Sequence, residues 1–218
     1  MTEHIDKTLI ENNLRNRFDY ISKFIKFTTD DIAALNDLGR LAVPLIPIIV
    51  DQIFQRVLDF DITKRYFVMR HSGFTGVVPV NESELTLESE QMVFRRTALC
   101  KYFKRVLRQK VWNDAFLEYI SHVGKIHTKM AGSESVDIDY VHINILFAYV
   151  EHILLDVILS NGQIADQRKK SVIIALNKFL WIQNDFFAMH YIRQSKSINF
   201  DCCVPKADNG KLSIFCIR

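Results

Sequence analysis

Apolar residues recur along this chain at helical spacing almost from end to end, and the interruptions are few. Over Glu11–Phe27, Leu14, Phe18, Ile21 and Ile25 share one face. Thr28-Thr29-Asp30-Asp31 then supplies a hydroxyl cap followed by acids that suit the positive end of a helix dipole, so a second helix is expected from there toward Val43. Pro44 and Pro47 must bend or break it, because each removes a backbone donor and crowds the preceding turn. The next helix, about Pro47–Phe60, carries Ile49, Ile53, Phe54, Val57 and Leu58 on one side. A short segment, Ile62–Met69, leads into His71-Ser-Gly-Phe-Thr-Gly-Val-Val-Pro, which reads as a loop ending near Asn81.

Glu84–Gln109 has two apolar stripes, Met92, Leu99, Phe103 and Val106 on one and Phe94, Ala98 and Tyr102 on the other. Two stripes on one helix call for two neighbours, or for a neighbour and a ligand. Trp112–Gly132 forms a further helix, and two long ones, Ile138–Leu159 and Ile164–Ile192, are parted by Ser160-Asn161-Gly162. Beyond Gln194 the pattern fades. About seven helices and no convincing strand give an all-α class, divided as a single domain over 1–195 and a C-terminal tail over 196–218.

Composition narrows this further. A chain of 218 residues can bury one substantial core, and 49% hydrophobic with 24% charged residues is ordinary for a globular protein. Seven Gly and four Pro are too few for a many-turned β-sandwich or barrel. Sixteen Phe against seven Tyr and two Trp suit a core that must cover a large, flat apolar surface. The net charge of +3 is mild, and the basic cluster Arg95-Arg96, Lys101, Lys104-Arg105, Arg108 and Lys110 reads as a solvated helix face, so no nucleic-acid partner is expected. The four cysteines, Cys100, Cys202, Cys203 and Cys216, show no metal-ligand spacing and point to a reducing compartment. With no signal peptide, and with uncharged apolar runs of only ten residues at Leu41–Val50 and Val141–Val150, a cytoplasmic protein without a membrane partner is expected.

The candidate chemistry lies in WNDAFLEYISHVGKIHTKMAG. At about 100° per residue, Phe116, Ile120, Val123, His127 and Met130 point within roughly 40° of one direction, while His122 points about 120° away. His122 is therefore solvated and His127 faces the interior. A buried imidazole needs a partner, and both a polar core group and a metal, including haem iron, satisfy one. The apolar neighbours on its own face offer no acceptor. Gly124 lets something bulky approach the backbone, and Phe54, Phe94 and Phe147 bring flat rings from flanking helices.

The blocks FIKFTTDDIAALNDLG, PLIPIIVDQIFQRVLDF, FLEYISHVGKIHTKMAG, VHINILFAYVEHIL and KFLWIQNDFFAMHYI, in this order over about Phe18–Ile192, resemble the globin-coupled sensor and protoglobin family, particularly its single-domain eukaryotic members. The resemblance implies a globin-like helical sandwich with an extra N-terminal helix, holding haem b with His127 as the proximal iron ligand. Phe147 and Met130 would pack on the proximal side with Val123, and Ile53, Phe54, Phe94, Thr97 and Ala98 would form the distal side. It also implies a diatomic gas ligand (O2, CO or NO) and a homodimer through the last two long helices. Many family sensors carry a tyrosine where this chain has Phe54, which cannot donate a hydrogen bond. Unless Thr97 or Tyr102 takes over, dioxygen loses about 1 kcal/mol or more, while CO, less polar when bound, loses little. A haem-free member of the same fold, serving as a dimerisation or partner-binding module, is the alternative.

The remaining candidates carry bland readings beside the chemical ones. His142 and His152 are sixth-ligand candidates or plain core and surface residues, and His190 belongs to a helix seam near Trp181 and Phe186. Gln183-Asn184 would form either a polar pair at the dimer face or an internal hydrogen bond. No nucleophile elbow, phosphate loop or paired-carboxylate site is present, so no catalytic residue is expected.

Overall fold

A computed structural model describes residues 2–162 and 164–201; Cys202, Cys203, Cys216 and most of the expected tail lie outside the described residues. Among the described residues there are nine α-helices and no strand. They are α1 (Lys7–Asn12), α2 (Leu14–Phe24), α3 (Thr29–Ala42), α4 (Ile46–Leu58), α5 (Asp61–Lys64), α6 (Glu90–Arg108), α7 (Asp114–Ile126), α8 (Tyr140–Ser160) and α9 (Asp166–Asp201).

Local signals set most boundaries. Thr28 and Asp31 form a capping box at the start of α3, with the Thr28 backbone N–H donating to the Asp31 carboxylate at 2.8 Å. Pro44 tightens the chain into one 3-10 turn at Val43–Leu45, and Pro47 falls in the first turn of α4, where its missing donor costs nothing. The prolines thus jog the helix rather than end it. α6 begins six residues later than its apolar pattern suggests, because the preceding segment forms a separate 3-10 turn at Glu82–Glu84. α9 continues through Asp201, so the boundary expected at 195/196 falls inside a helix. No Gly or Pro interrupts that stretch, and the Ser195 and Ser197 hydroxyls donate back to the Ile192 and Gln194 carbonyls.

The long α9 is the spine: α3, α7 and α8 all pack along it, and α6 crosses α3 and α4 on the other side. The core it encloses includes Leu35, Leu38, Ile46, Ile53, Met92, Leu107, Leu117, Ile120, Ile158, Leu176 and Phe186, each almost wholly buried. At Gly39 the Leu107 carbonyl approaches so closely that a Cβ would stand 2.5 Å from its oxygen, so only glycine permits the crossing of α3 and α6.

The extra N-terminal helix α2 is tied to α9 by the paired Arg17–Asp185 contacts at 2.6 Å, and Lys178 of α9 holds Asp31 at 2.9 Å and the Lys26 carbonyl at 2.7 Å. Between these, Phe18, Phe27, Trp112, Phe116 and Phe179 form one ring cluster with neighbouring centroids 4.8–6.3 Å apart.

Two stretches, Thr29–Leu58 and Tyr140–Ser160, are by length and composition apolar enough to cross a membrane. In the first, Leu35, Leu38, Ala42, Ile46, Val50 and Ile53 are buried by neighbouring helices, as in any core helix. α8 instead leaves Val141, Ile145 and Leu159 exposed, and α9 leaves Ile174, Trp181 and Ile192 exposed.

Candidate functional site

The helix bearing His127 stops just short of it. α7 ends at Ile126, and His127 occupies the C-cap with helical backbone angles. Thr128 turns the chain by donating its hydroxyl to the Lys125 carbonyl at 2.7 Å, and a 3-10 turn over Lys129–Glu134 follows with Gly132 at a positive φ of 63°. Met130 therefore leaves the helical face on which periodicity put it and is 38% exposed. The His127 backbone itself is pinned: its carbonyl accepts from the Ile138 N–H and from the Tyr191 hydroxyl, both at 3.0 Å.

The imidazole is oriented by its own helix. Nδ1–H donates to the Val123 carbonyl at 2.7 Å, which fixes the neutral tautomer and leaves the Nε2 lone pair free. Nε2 makes no hydrogen bond among the described residues and is not closed off from the surface. His127 as a residue is half-buried, but its ring is crowded enough that desolvation pushes its pKa down to about 4, with nearby Arg95 and His71 adding to the effect. At neutral pH it is an unprotonated ring presenting a lone pair, the state a metal requires.

His127 and Phe187 lie with centroids 5.2 Å apart, and Phe147 meets Phe187 edge-on at 5.2 Å, so Phe147 stands one ring removed from the histidine. Gly124, expected to admit a bulky ligand, admits α9 instead: a Cβ there would stand 3.1 Å from Phe187 Cα. Ile53 and Phe54 are buried on α4, with Phe54 edge-on to Phe67 at 5.8 Å. Phe94 is half-buried between His71 and Phe74, both 5.5 Å away. Thr97 and Ala98 are exposed, and the Thr97 hydroxyl donates to its own helix at the Val93 carbonyl, 2.8 Å away. Tyr102 spends its hydroxyl on Gln183 Oε1 at 2.8 Å, while Gln183 donates to the Ile120 carbonyl at 3.0 Å and Asn184 accepts from Tyr140 at 2.9 Å. The Gln183-Asn184 pair is thus satisfied internally, and neither Thr97 nor Tyr102 offers a free hydroxyl.

Sequence reasoning missed Arg95. It is no solvated residue: it is 9% exposed on the face of α6 that meets the segment after α5. Its guanidinium lies over the Phe67 ring at 4.8 Å, and Nη2 reaches the carbonyls of Tyr66 and Met69 at 3.2 and 3.3 Å. Gln91, one turn earlier, is fully buried and donates to the carbonyls of Phe67 and Met69 while accepting from the His71 N–H. A signal existed: Arg95 follows Met92 by three positions and precedes Leu99 by four, so it lies on an apolar stripe.

The other histidines are placed simply. His122 is exposed and 3.2 Å from Glu134, His152 is exposed, and His142 lies edge-on to Tyr66 at 5.9 Å with a buried, unpartnered Nε2. His190 sits in the seam between α7 and α9, where Nε2 and the Ser121 hydroxyl share a hydrogen bond of 2.9 Å and burial drives its pKa to about 4.

Among the described residues no group of three or more His, Cys, Asp or Glu stands close enough to hold a metal ion. A cofactor that brings its own ring nitrogens and needs one imidazole from the protein suits a lone, oriented, deprotonated histidine; a bare metal ion does not. The donor set thus fits haem, with His127 as the residue that would hold it.

The fold defines the class first. Eleven chains among solved structures match significantly, and one, the globin domain of the Geobacter sulfurreducens globin-coupled sensor, aligns with a TM-score of 0.58 over 79% of this chain and 96% of its own, at 17% identity. The architecture is an all-α globin fold. The family follows from the sequence: the protoglobin family model matches residues 14–197, and the chain belongs to the protoglobin family. Comparison with curated proteins returns no significant match.

Proposed function

We propose that this protein binds haem b through His127 and takes up a diatomic gas, O2, CO or NO, as a gas or redox sensor. The observation that carries the reading is the hydrogen bond from His127 Nδ1–H to the Val123 carbonyl, which turns an unprotonated Nε2 outward with nothing bonded to it. His142 and His190 each also leave one ring nitrogen unpartnered, but those nitrogens are buried, whereas His127 anchors Nδ1 and offers an Nε2 that is not closed off, as a ligand histidine does. Phe187 and Phe147 supply the aromatic surface on the histidine side, and Ile53 and Phe54 an apolar wall on α4. Haem bound there would supply an open coordination position for the gas. The apolar residues left exposed on α8 and α9, Trp181 above all, support pairing of two copies through these helices.

The experiment is absorption spectroscopy of the purified full chain supplied with haem. The wild type should show the strong Soret band of a histidine-ligated haem, and His127→Ala should abolish or grossly alter it. A wild-type protein that stays colourless after supplementation, or a His127→Ala variant with an unchanged spectrum, overturns the reading and leaves the globin fold serving as a haem-free module.

A further inference from the structure

Arg95 carries an account of ligand preference that Phe54, Thr97 and Tyr102 do not. Of the five N–H groups on a guanidinium, only those on Nη2 find acceptors, and at long range. Nε is fully buried with no partner, and Nη1 makes no hydrogen bond among the described residues. No carboxylate forms an ion pair with this cation among the described residues. A buried, uncompensated guanidinium is costly, and persists where something else supplies the missing negative charge.

Position says what that is. Arg95 lies on α6 and His127 at the end of α7, two elements that share no extended contact, yet Tyr66 links them. Its carbonyl accepts from Arg95 Nη2 at 3.2 Å, and its hydroxyl donates at 2.8 Å to Asp139, the neighbour of Ile138, whose N–H donates to the His127 carbonyl at 3.0 Å. The two groups with unspent nitrogens, one a lone pair and the other a set of donors, therefore flank the same region. The Arg95 guanidinium lies over the Phe67 ring at 4.8 Å, and Phe67 in turn meets Phe54 edge-on at 5.8 Å.

Resting on haem being held at His127, we propose that Arg95 is the charged wall opposite that histidine and donates hydrogen bonds to small ligands that carry negative charge. The class comprises anions such as azide and cyanide, together with dioxygen, whose outer atom becomes partly negative on binding. Carbon monoxide, nearly uncharged, gains little. The chain thus replaces the missing hydroxyl at Phe54 with a full cation from another helix, which favours anionic ligands more than a tyrosine would.

The test compares the haem-loaded wild type with Arg95→Met and with Arg95→Gln, which keeps a donor for the Tyr66 and Met69 carbonyls but removes the charge. In both variants azide binding to the ferric protein should weaken roughly tenfold or more, as for the loss of a charge-assisted hydrogen bond. CO affinity should change by no more than about twofold, and the C–O stretching frequency of the carbon monoxide adduct should rise, because a nearby cation no longer draws electron density toward the oxygen. Azide affinity and C–O stretch both at wild-type values would overturn the proposal. So would azide and CO weakening together, the mark of a purely structural pin, or faster haem loss with ligand preference unchanged, which would put Arg95 on a haem propionate. A normal Soret band with unchanged preference sinks only the role of Arg95. A wild type that never acquires the band sinks the haem reading beneath it.

Discussion

Around Trp112 the protein has spent nearly everything it has; around His127 it has not. In the first region Phe18, Phe27, Trp112, Phe116 and Phe179 are each at most 8% exposed and meet ring to ring, with the indole N–H of Trp112 as the one unpartnered polar atom on these rings. In the second, Phe94 and Phe147 are half-buried, Ala98 and Met130 are exposed, a neutral imidazole nitrogen is free, and a buried cation lacks a counter-ion. One fold therefore keeps its densest packing and the unspent groups of its candidate site in separate places. The Phe-rich composition, which suggests a core built to cover a flat cofactor, is shared between the two regions rather than gathered at one.

The largest effect that separates them is Phe116→Ala. This ring is 2% exposed and packs against Trp112 and Tyr119, so its removal should cost about 3–5 kcal/mol. That is a large part of a typical domain's total of about 5–15 kcal/mol. Denaturant unfolding of the variant should show it, while the protein that remains folded keeps the wild-type haem spectrum. A loss below about 1 kcal/mol, or a displaced Soret band, would break the division between the two regions.

Smaller, and dependent on pH, is the contribution of the buried imidazoles. His127 and His190 both have pKa values pushed down to about 4, against about 6.5 in an unfolded chain. Between those values the unfolded state binds more protons, so the stabilisation is fully present above about pH 6.5 and is lost as pH falls toward 4. For His190, deep in the seam between α7 and α9, this amounts to at most ~3 kcal/mol. His190→Gln, which keeps a group able to reach Ser121, should flatten the fall in stability of the haem-free protein over that range. An acid limb equally steep in the variant would show that His190 does not carry it.

Helix positions were legible in the sequence because burial on one face leaves a periodic trace, and the capping box at Thr28–Asp31 and the prolines at 44 and 47 mark boundaries by local chemistry. The inward histidine was legible for the same reason. Other features depend on tertiary contacts that leave no periodic mark. Nothing in the spacing of Gly124 tells whether a cofactor or the backbone of Phe187 fills the space beside it. The move of Met130 out of register follows from Thr128 ending the helix. Arg95 was misread because charge suggests water, although its place on the stripe of Met92 and Leu99 said otherwise.

The smallest expected effect falls on Thr97, which stands on the same helix as Arg95, two residues away, and was expected on the distal wall. Its hydroxyl is exposed and donates to the Val93 carbonyl of its own helix, a bond that competes with water and adds little. Thr97→Val should therefore shift stability by no more than about 0.5 kcal/mol and leave the C–O stretch of the carbon monoxide adduct where it is in the wild type. Arg95→Gln, two positions away, should move that frequency while Thr97→Val does not. The contrast separates a charge facing the ligand from a polar group that merely lies nearby. A shifted frequency in Thr97→Val would mean that this face of α6 turns toward the ligand when haem is bound, and that the exposed hydroxyl rather than the buried guanidinium stands in for the donor Phe54 lacks.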